Sequence, residues 1–205
     1  MKRMRPSNQK TNYKKVAKTD KAKTITMYKQ PSNVRLVRRN SDGGTIVCAL
    51  ASNTYGAFTF RLQNVPNSAE FTSLYDQYKI NAINMLIYPT LTEATSIVPA
   101  TSVQNGRIFT AIDYTDATIP TTLDELREYE NCEVHSAVEN YSIYIDKPKY
   151  IDNTGALRTG YISTTSPATI HYGLKYAVET LNPGSAGAYT FRIECIYYMS
   201  FKAIK

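Results

Sequence analysis

Residues 189–201 read YTFRIECIYYMSF and carry the clearest strand pattern in the chain. Every second residue is apolar, from Tyr189 through Ile193 and Tyr197 to Phe201, and most residues between them are polar. Such strict alternation is typical of a β-strand with one face in a core. At about 3.3 Å per residue, this strand would extend on the order of 40 Å, which is long for a strand.

The same alternation recurs in shorter runs from residue 45 onward. The runs 56–63 and 170–178 are the strongest, and the second leaves His171 and Lys175 on its polar face. In 78–88 the apolar phase changes after Ala82, as a β-bulge would produce. Weaker candidate strands lie at 34–38, 45–51, 107–113, 131–138 and 141–147.

Two short helices interrupt this pattern. Asn67 with Glu70, and Thr122 with Glu125, have the spacing of a capping box. The first box predicts a helix at 67–76, which is either core or subunit interface. The residues concerned are Phe71, Leu74 and Tyr75 on its apolar face, with Asp76 beside them.

Uneven loops separate these elements. The polar segments 89–106 and 148–169 contain prolines and are predicted to be loops. Eight or nine strands with little helix indicate an all-β sandwich or barrel.

Positive charge is concentrated at the N-terminus. Residues 1–39 carry 13 Lys and Arg side chains against Asp20 alone, whereas the other 166 residues carry 11 basic and 16 acidic side chains. The basic residues are Lys2, Arg3, Arg5, Lys10, Lys14, Lys15, Lys18, Lys21, Lys23, Lys29, Arg35, Arg38 and Arg39. This distribution predicts a folded body with a cationic arm.

The arm has too few large apolar residues to form a core. We therefore expect residues 1–33 to be disordered alone and residues 34–205 to form one domain. Dense positive charge binds polyphosphate through counterion release, so we interpret these basic residues as nucleic-acid-binding. A solubilising tail or a nuclear-import signal within 14–23 is the alternative, and import is compatible with nucleic-acid binding.

Side chains that enzymes use are scarce. His135 and His171 are the two histidines, and both fall on the polar phase of their strands, which predicts surface positions. Phosphate-loop, nucleophile-elbow and His-Glu-x-x-His motifs are absent. Cys48, Cys132 and Cys195 lie on apolar phases without close spacing, which predicts buried thiols. We predict no enzymatic activity, no cofactor and no metal.

The stretch 113–133 gathers seven Asp and Glu residues around Arg127. A calcium ion or a basic neighbour could occupy it, but ligand-loop spacing is missing and a solvated acidic face is the simpler interpretation. No apolar run approaches the roughly 18 residues of a membrane helix, so we expect no membrane insertion.

One segment resembles a known family. The sequence Phe58-Thr-Phe-Arg-Leu-Gln-Asn-Val-Pro-Asn67, then Glu70-Phe-Thr-Ser-Leu-Tyr-Asp-Gln-Tyr-Lys-Ile80, ending near Ile87-Tyr-Pro89, is similar to capsid proteins of circovirus-like viruses. These viruses have circular single-stranded DNA genomes and encode their own replication initiator. The order of a basic arm, eight strands and a long final strand also fits this family.

The resemblance implies a single eight-stranded jelly roll that self-assembles into a small icosahedral T=1 shell of about sixty copies. It also implies an arm that points inward to a single-stranded DNA genome, a location in the virion, and assembly in the host nucleus with a possible import receptor. Two alternative functions remain. A non-virion nucleic-acid-binding β-barrel protein would carry interleaved basic and aromatic residues on its body. An enzyme of cupin type would need clustered histidines.

Overall fold

The computed structural model describes residues 33–49, 52–90, 106–179 and 189–204. The strands in these ranges are β1 (Asn33–Cys48), β2 (Thr54–Phe60), β3 (Tyr75–Pro89), β4 (Arg107–Ile112), β5 (Glu133–Ser136), β6 (Tyr141–Asp146), β7 (Lys149–Ile151), β8 (Leu157–Arg158), β9 (Ile162–Ser163), β10 (His171–Val178) and β11 (Tyr189–Ile204). The helical segments are a 3-10 turn (Leu62–Asn64), α1 (Ser68–Leu74) and α2 (Leu123–Arg127). No helix in these ranges is long and apolar enough to cross a membrane.

The strands form two antiparallel sheets. The first sheet has the order β1-β11-β3-β6, with β9 paired to β3; the second has the order β5-β4-β10-β7-β8, with β2 paired to β10. The short strands β7, β8 and β9 lie in the segment 148–169 that the sequence predicted to be a loop. The other eight strands follow the jelly-roll order, so the predicted all-β, eight-stranded jelly roll is confirmed.

The core lies between the two sheets, and β11 contributes most to it. Its alternate residues from Phe191 to Phe201 are all buried, as the sequence pattern predicted. β11 pairs with β1 on one side and with β3 on the other along nearly its whole length. The strand with the clearest periodicity is therefore the centre of the first sheet.

The predicted bulge in β3 is also confirmed. Ala82 pairs with Tyr198 and Ile80 pairs with Met199, which leaves Asn81 as an extra residue on β3. Tyr78, Ile80, Ala82, Ile83, Met85 and Ile87 are all buried. The apolar phase of the sequence thus changes at the residue where the backbone adds one position.

The predicted strand 34–38 and most of the described part of the predicted strand 45–51 belong to one strand, β1, which ends at Cys48; residues 50 and 51 lie outside the described residues. Asn40 to Gly44 are residue types common in turns, but the chain continues through them as a bulge, and pairing with β11 resumes at Gly44. The φ of Gly44 is +116°, a conformation that favours glycine. The residue types of a turn and of a bulge are the same here, so the local sequence did not separate them.

The predicted division of β10 into a buried apolar face and an exposed polar face is wrong. His171 and Lys175, assigned to a polar surface, are both buried. The pairing of β10 with β2 shifts register at Gly173, where an added Cβ would lie 2.7 Å from the Phe60 ring. A second small core on the outer side of this sheet, in which Leu126 of α2 packs against Phe109, also covers the face that was predicted to be exposed.

One predicted cap forms and the other does not. The Thr122 hydroxyl accepts a hydrogen bond from the Glu125 backbone N–H at 3.2 Å, and the Glu125 carboxylate accepts one from the Thr121 N–H at 2.6 Å. Asn67 has a left-handed backbone with φ of 60°, and its side chain makes no capping hydrogen bond. Helix α1 therefore begins without the predicted capping box.

The cysteine prediction holds for two of three residues. Cys48 and Cys195 are buried, and burial raises the pKa of each thiol to about 12. Cys132 is only half-buried and precedes β5, and the next apolar residue, Val134, is exposed. All three cysteines are free thiols.

His171 is a buried, uncharged imidazole. Its ring lies 5.4 Å from the Tyr150 ring and 6.3 Å from the Tyr78 ring, and Nδ1 lies 3.2 Å from the Thr169 carbonyl oxygen. Burial lowers the pKa of His171 to about 4. The unfolded chain therefore binds a proton near pH 6.5 that the folded chain binds only near pH 4.

We expect the free energy of unfolding to fall by about 3 kcal/mol as the pH drops from 6.5 to 4, because of this one residue. Above about pH 7.5 the residue should contribute no pH dependence, because the imidazole is then neutral in both states. Urea unfolding of the wild type and of His171→Gln across this pH range, from the folded pKa to above the unfolded pKa, measures the difference. An equally steep pH dependence in the variant would contradict the assignment.

Candidate nucleic-acid interface

Most of the predicted nucleic-acid-binding residues lie outside the described residues. These are Lys2, Arg3, Arg5, Lys10, Lys14, Lys15, Lys18, Lys21, Lys23 and Lys29. Arg35, Arg38 and Arg39 lie on β1, all exposed to solvent. The described part of the site therefore starts on the first strand of the jelly roll.

The structure separates these three arginines. Arg35 and Arg39 lie on the solvent face of the first sheet, because alternate residues of a strand share a face. Arg38 lies on the opposite side of β1, with its guanidinium 5.3 Å from the centre of the Phe71 ring. Arg38 therefore packs on α1 and does not belong to the same surface.

Strand register adds three basic residues that the sequence analysis missed. Ser200 of β11 pairs with Arg35 on one side and with Lys79 on the other, so Arg35 and Lys79 lie in one row across the sheet. Lys202 lies in the neighbouring row, and Arg192 lies at the far end of the same face. We call this surface the basic face. Its cations are Arg35, Arg39, Lys79, Arg192 and Lys202.

Glu194 holds two of these cations in place. Its carboxylate accepts a hydrogen bond from Arg39 Nε at 2.9 Å and lies 3.3 Å from Arg192 Nη2. The hydrogen bond to Glu194 raises the pKa of Arg39. The Glu194 side chain is nearly buried, whereas both guanidinium groups stay more than half exposed. One acid thus positions two cations and leaves this group with a net positive charge.

Lys202 is positioned at the other end of the basic face. Its Nζ lies 4.3 Å from the centre of the Tyr161 ring, and the Tyr161 hydroxyl lies within hydrogen-bonding distance of Asn33 Oδ1 at 3.3 Å. Asn33, the residue at which β1 begins, pairs with Lys202. The row in which β1 begins therefore carries a cation, Lys202.

The basic face has the chemistry of a phosphate-binding surface. It carries five Lys and Arg residues against Glu194 and an Asp146 that pairs with Lys147 at 3.1 Å. Cations on the solvent face of a sheet can contact phosphates and release counterions without reading base sequence. No local signal in the sequence predicted the contributions of Lys79 and Lys202, because only the register across β11 brings them beside Arg35.

The acidic stretch 113–133 lies on the second sheet, where Lys175 neutralises part of it. Lys175 Nζ lies 2.7 Å from Asp113 Oδ2 and 2.9 Å from Asp116 Oδ1, and it donates a hydrogen bond to the Tyr129 hydroxyl at 3.1 Å. Burial favours the uncharged forms, but hydrogen bonds from Lys175, Thr115 and Tyr129 lower the pKa of Asp113 to about 2. The same hydrogen bonds to carboxylates outweigh burial and raise the pKa of Lys175.

The acidic stretch is not arranged as a metal site in the part of the chain that the structure describes. No group of three or more His, Cys, Asp or Glu side chains is arranged there to hold a metal ion. The cation that Asp113 and Asp116 contact is the Lys175 ammonium group. The two carboxylates are thus partners of Lys175 in one ion cluster, in which Asp113 is buried and Asp116 is half exposed.

Of the residues predicted as core or subunit interface, some are buried within the subunit and others are exposed. Phe71 is buried, with its ring 5.3 Å from that of Phe201, and Tyr75 is half-buried at 5.2 Å from the same ring. Leu74 is 53% exposed, and Asp76 is exposed on β3. Phe71 and Tyr75 therefore pack within the subunit, and only Leu74 and Asp76 stay available to a neighbour.

Comparison with known proteins identifies the family. A family model described as circovirus capsid protein matches residues 1–205, which is the whole chain. The chain belongs to the circovirus capsid family. No curated protein matches it. As a member of this family the chain is a structural capsid protein and a component of the virion.

Solved structures show the same fold at low sequence identity. The BFDV capsid protein solved as a 60-mer is 15% identical, with a TM-score of 0.57 over 83% of this chain and 92% of that chain. The decameric form of the BFDV capsid protein is 17% identical, with a TM-score of 0.55 over 83% and 98%. A Cucumber Necrosis Virus structure is 16% identical, with a TM-score of 0.57 over 85% and 57%. At these identities the similarity establishes the viral jelly-roll fold of this circovirus capsid family member.

Proposed function

We propose that this chain assembles into a closed icosahedral shell of about sixty copies and packages a single-stranded DNA genome through its arm and the basic face. The proposal rests on one observation: the cationic residues of the arm are followed in the chain by a sheet face that register makes cationic as well. The related BFDV capsid protein, which was solved as a 60-mer, supports a shell of this size.

Charge explains why these two segments can package a genome. A genome must be packaged whatever its base sequence, and Lys and Arg contacts to phosphate meet that requirement. The arm to Asn33 holds ten basic residues against Asp20, whereas residues 34–205 hold 14 basic and 16 acidic residues. The body can therefore bind polyanion only where its positive charge is segregated, and the basic face is such a surface.

The alternative, a non-virion nucleic-acid-binding barrel, would carry aromatic residues between basic ones on its body. The basic face does carry tyrosines, among them Tyr144 and Tyr198. Membership in the circovirus capsid family favours the shell, since a coat protein can use the same surface to line its interior.

A nuclease-protection assay tests packaging. Full-length protein is assembled with circular single-stranded DNA and treated with nuclease. We expect protected DNA to co-sediment with shells, and protection to be lost when the shells are dissociated. Shells that form but leave all DNA digestible would contradict packaging and leave the shell itself intact.

Assembly in the host nucleus is part of the same proposal. The segment 14–23 contains five lysines spaced as in nuclear-import signals, although it lies outside the described residues. Replacing these lysines with glutamine should keep the protein in the cytoplasm of a host cell, as seen by imaging. Unchanged nuclear accumulation would contradict this step.

Leu74 offers a test of the subunit contacts. We expect Leu74→Lys to block shell formation, because an exposed apolar side chain at the end of α1 would be replaced by a charge that must be desolvated at an interface. Electron microscopy counts the shells, and cooperative melting controls for folding. Asp76→Lys should also block shell formation. Normal shells from both variants would show that this end of α1 faces solvent in the assembly.

A further inference from the structure

An apolar strip crosses the basic face. Val37, Tyr198 and the buried Ala82 form one row across the strands, which ends at Asp146, and Ile196 and Tyr144 lie in the next row on either side of Asn84. Val37 is 53% exposed and Tyr144 is 58% exposed, and the Tyr144 and Tyr198 rings meet edge to face at 6.3 Å. Exposed apolar side chains do not bind phosphates. We therefore ask which other part of a nucleic acid could contact this strip.

Cations frame this strip. Arg35 and Lys79 lie in the adjacent row on one side, and Arg39 lies in the same row as Ile196 and Tyr144. Neighbouring strands lie about 4.8 Å apart, so Arg39 on β1 and Tyr144 on β6 are about 14 Å apart at the backbone. A polyanion held by the cations would therefore lie directly across the exposed ring and the valine.

Two acids lie near the strip, and each contacts a cation. Glu194 is engaged by Arg39 and Arg192, and Asp146 pairs with Lys147. In the ranges that the structure describes, these are the acidic side chains that register places on this face between Arg35 and Arg192. The charge around the strip is therefore complementary to nucleic acid.

Unpaired bases are the part of a nucleic acid that fits an apolar, aromatic strip between phosphate contacts. Base stacking on aromatic side chains tolerates any sequence, because every base has a π-face. In a duplex the bases are already stacked on each other and their faces are not accessible. Charge alone, as in the arm, attracts single and double strands alike.

We propose that this strip, whose aromatic residues are Tyr144 and Tyr198, gives the capsid protein a preference for single-stranded over double-stranded nucleic acid by stacking unpaired bases. The inference rests on the proposed packaging function and assigns its strand selectivity to the folded body. The arm then supplies affinity, and the strip supplies the distinction between the two forms of DNA.

Competition binding on the full chain tests the proposal, with oligodeoxythymidylate and a duplex of equal phosphate number as probes. We expect Tyr144→Ala to lower the affinity for the single strand by about tenfold and to leave the duplex affinity unchanged. Tyr144→Phe, which keeps the ring, should keep the preference. Lys79→Gln, which removes one positive charge and serves as a control, should lower the affinity for the single strand and for the duplex by the same factor.

A fluorescence measurement provides a second readout. The chain contains no Trp, so Tyr144→Trp introduces a single tryptophan at the β6 end of the strip. We expect oligodeoxythymidylate to quench its emission by stacking, and the duplex to leave it nearly unchanged. Equal quenching by both probes would overturn the proposal.

The outcomes separate this inference from the proposed function. Equal affinity of the wild type for both probes would overturn strand selectivity and leave packaging intact. Failure of the wild type to bind either probe would overturn packaging, and the inference with it. If Tyr144→Ala abolished shells yet kept the single-strand preference, the strip would be a contact between copies and the proposal would be wrong.

Discussion

Removing residues 1–32 should lower the affinity for single-stranded DNA on the order of 100-fold at moderate salt while the jelly roll stays folded. The deletion removes ten basic residues and one acid and leaves Asn33, the first residue of β1. For every phosphate that the shortened chain no longer neutralises, the slope of log affinity against log salt should become shallower by about 0.7. Titration of a labelled oligonucleotide at several salt concentrations measures both quantities.

Two matched variants show whether charge alone explains the effect. An arm of the same length with its Lys and Arg replaced by Gln should bind as weakly as the deletion. An arm with the same residues in shuffled order should bind as the wild type does, since phosphate contacts read no sequence. Comparable affinity of the deletion and the full chain would show that the basic face alone carries binding.

The second large effect concerns stability. Lys175→Met should lower the free energy of unfolding by about 3 to 5 kcal/mol, because it leaves the buried Asp113 carboxylate without its cation. Natural domains have about 5 to 15 kcal/mol of stability in total, so the variant should be close to unfolding. Urea unfolding of the variant and the wild type measures the difference.

The control for Lys175→Met is the same change at an exposed pair. Lys147 and Asp146 form an ion pair in which both side chains are more than half exposed, and Lys147→Met should lower the free energy of unfolding by less than about 1 kcal/mol.

Acidification provides a second check on the Lys175–Asp113 pair. In the wild type Asp113 has a lowered pKa, so its contribution is present at neutral pH and is lost as the pH falls toward 2. The gap between wild type and Lys175→Met should therefore shrink as the pH falls.

Properties that reside within one strand could be predicted from the sequence. The alternation of 189–201 located β11, and the change of phase after Ala82 located the bulge in β3. The resemblance over 58–89 indicated the capsid family, and the family model confirmed it. These features were accessible because periodicity reports which face of a strand is buried.

Properties that depend on register between strands could not be predicted. Lys79 and Lys202 join Arg35 on one face only because β11 pairs with β1 and β3 at particular residues. The burial of His171 and Lys175 depends on the register shift at Gly173 and on α2 packing over the second sheet, and neither leaves a periodic signal. The basic face was therefore visible only after folding, whereas the charge of the arm was visible in the sequence.

Electron microscopy of the purified full-length protein tests the central claim most directly. The account predicts closed shells of uniform diameter, with about sixty copies each, that form in the presence of single-stranded DNA. A folded protein that stays monomeric, or that forms only open or irregular aggregates with and without DNA, would contradict it.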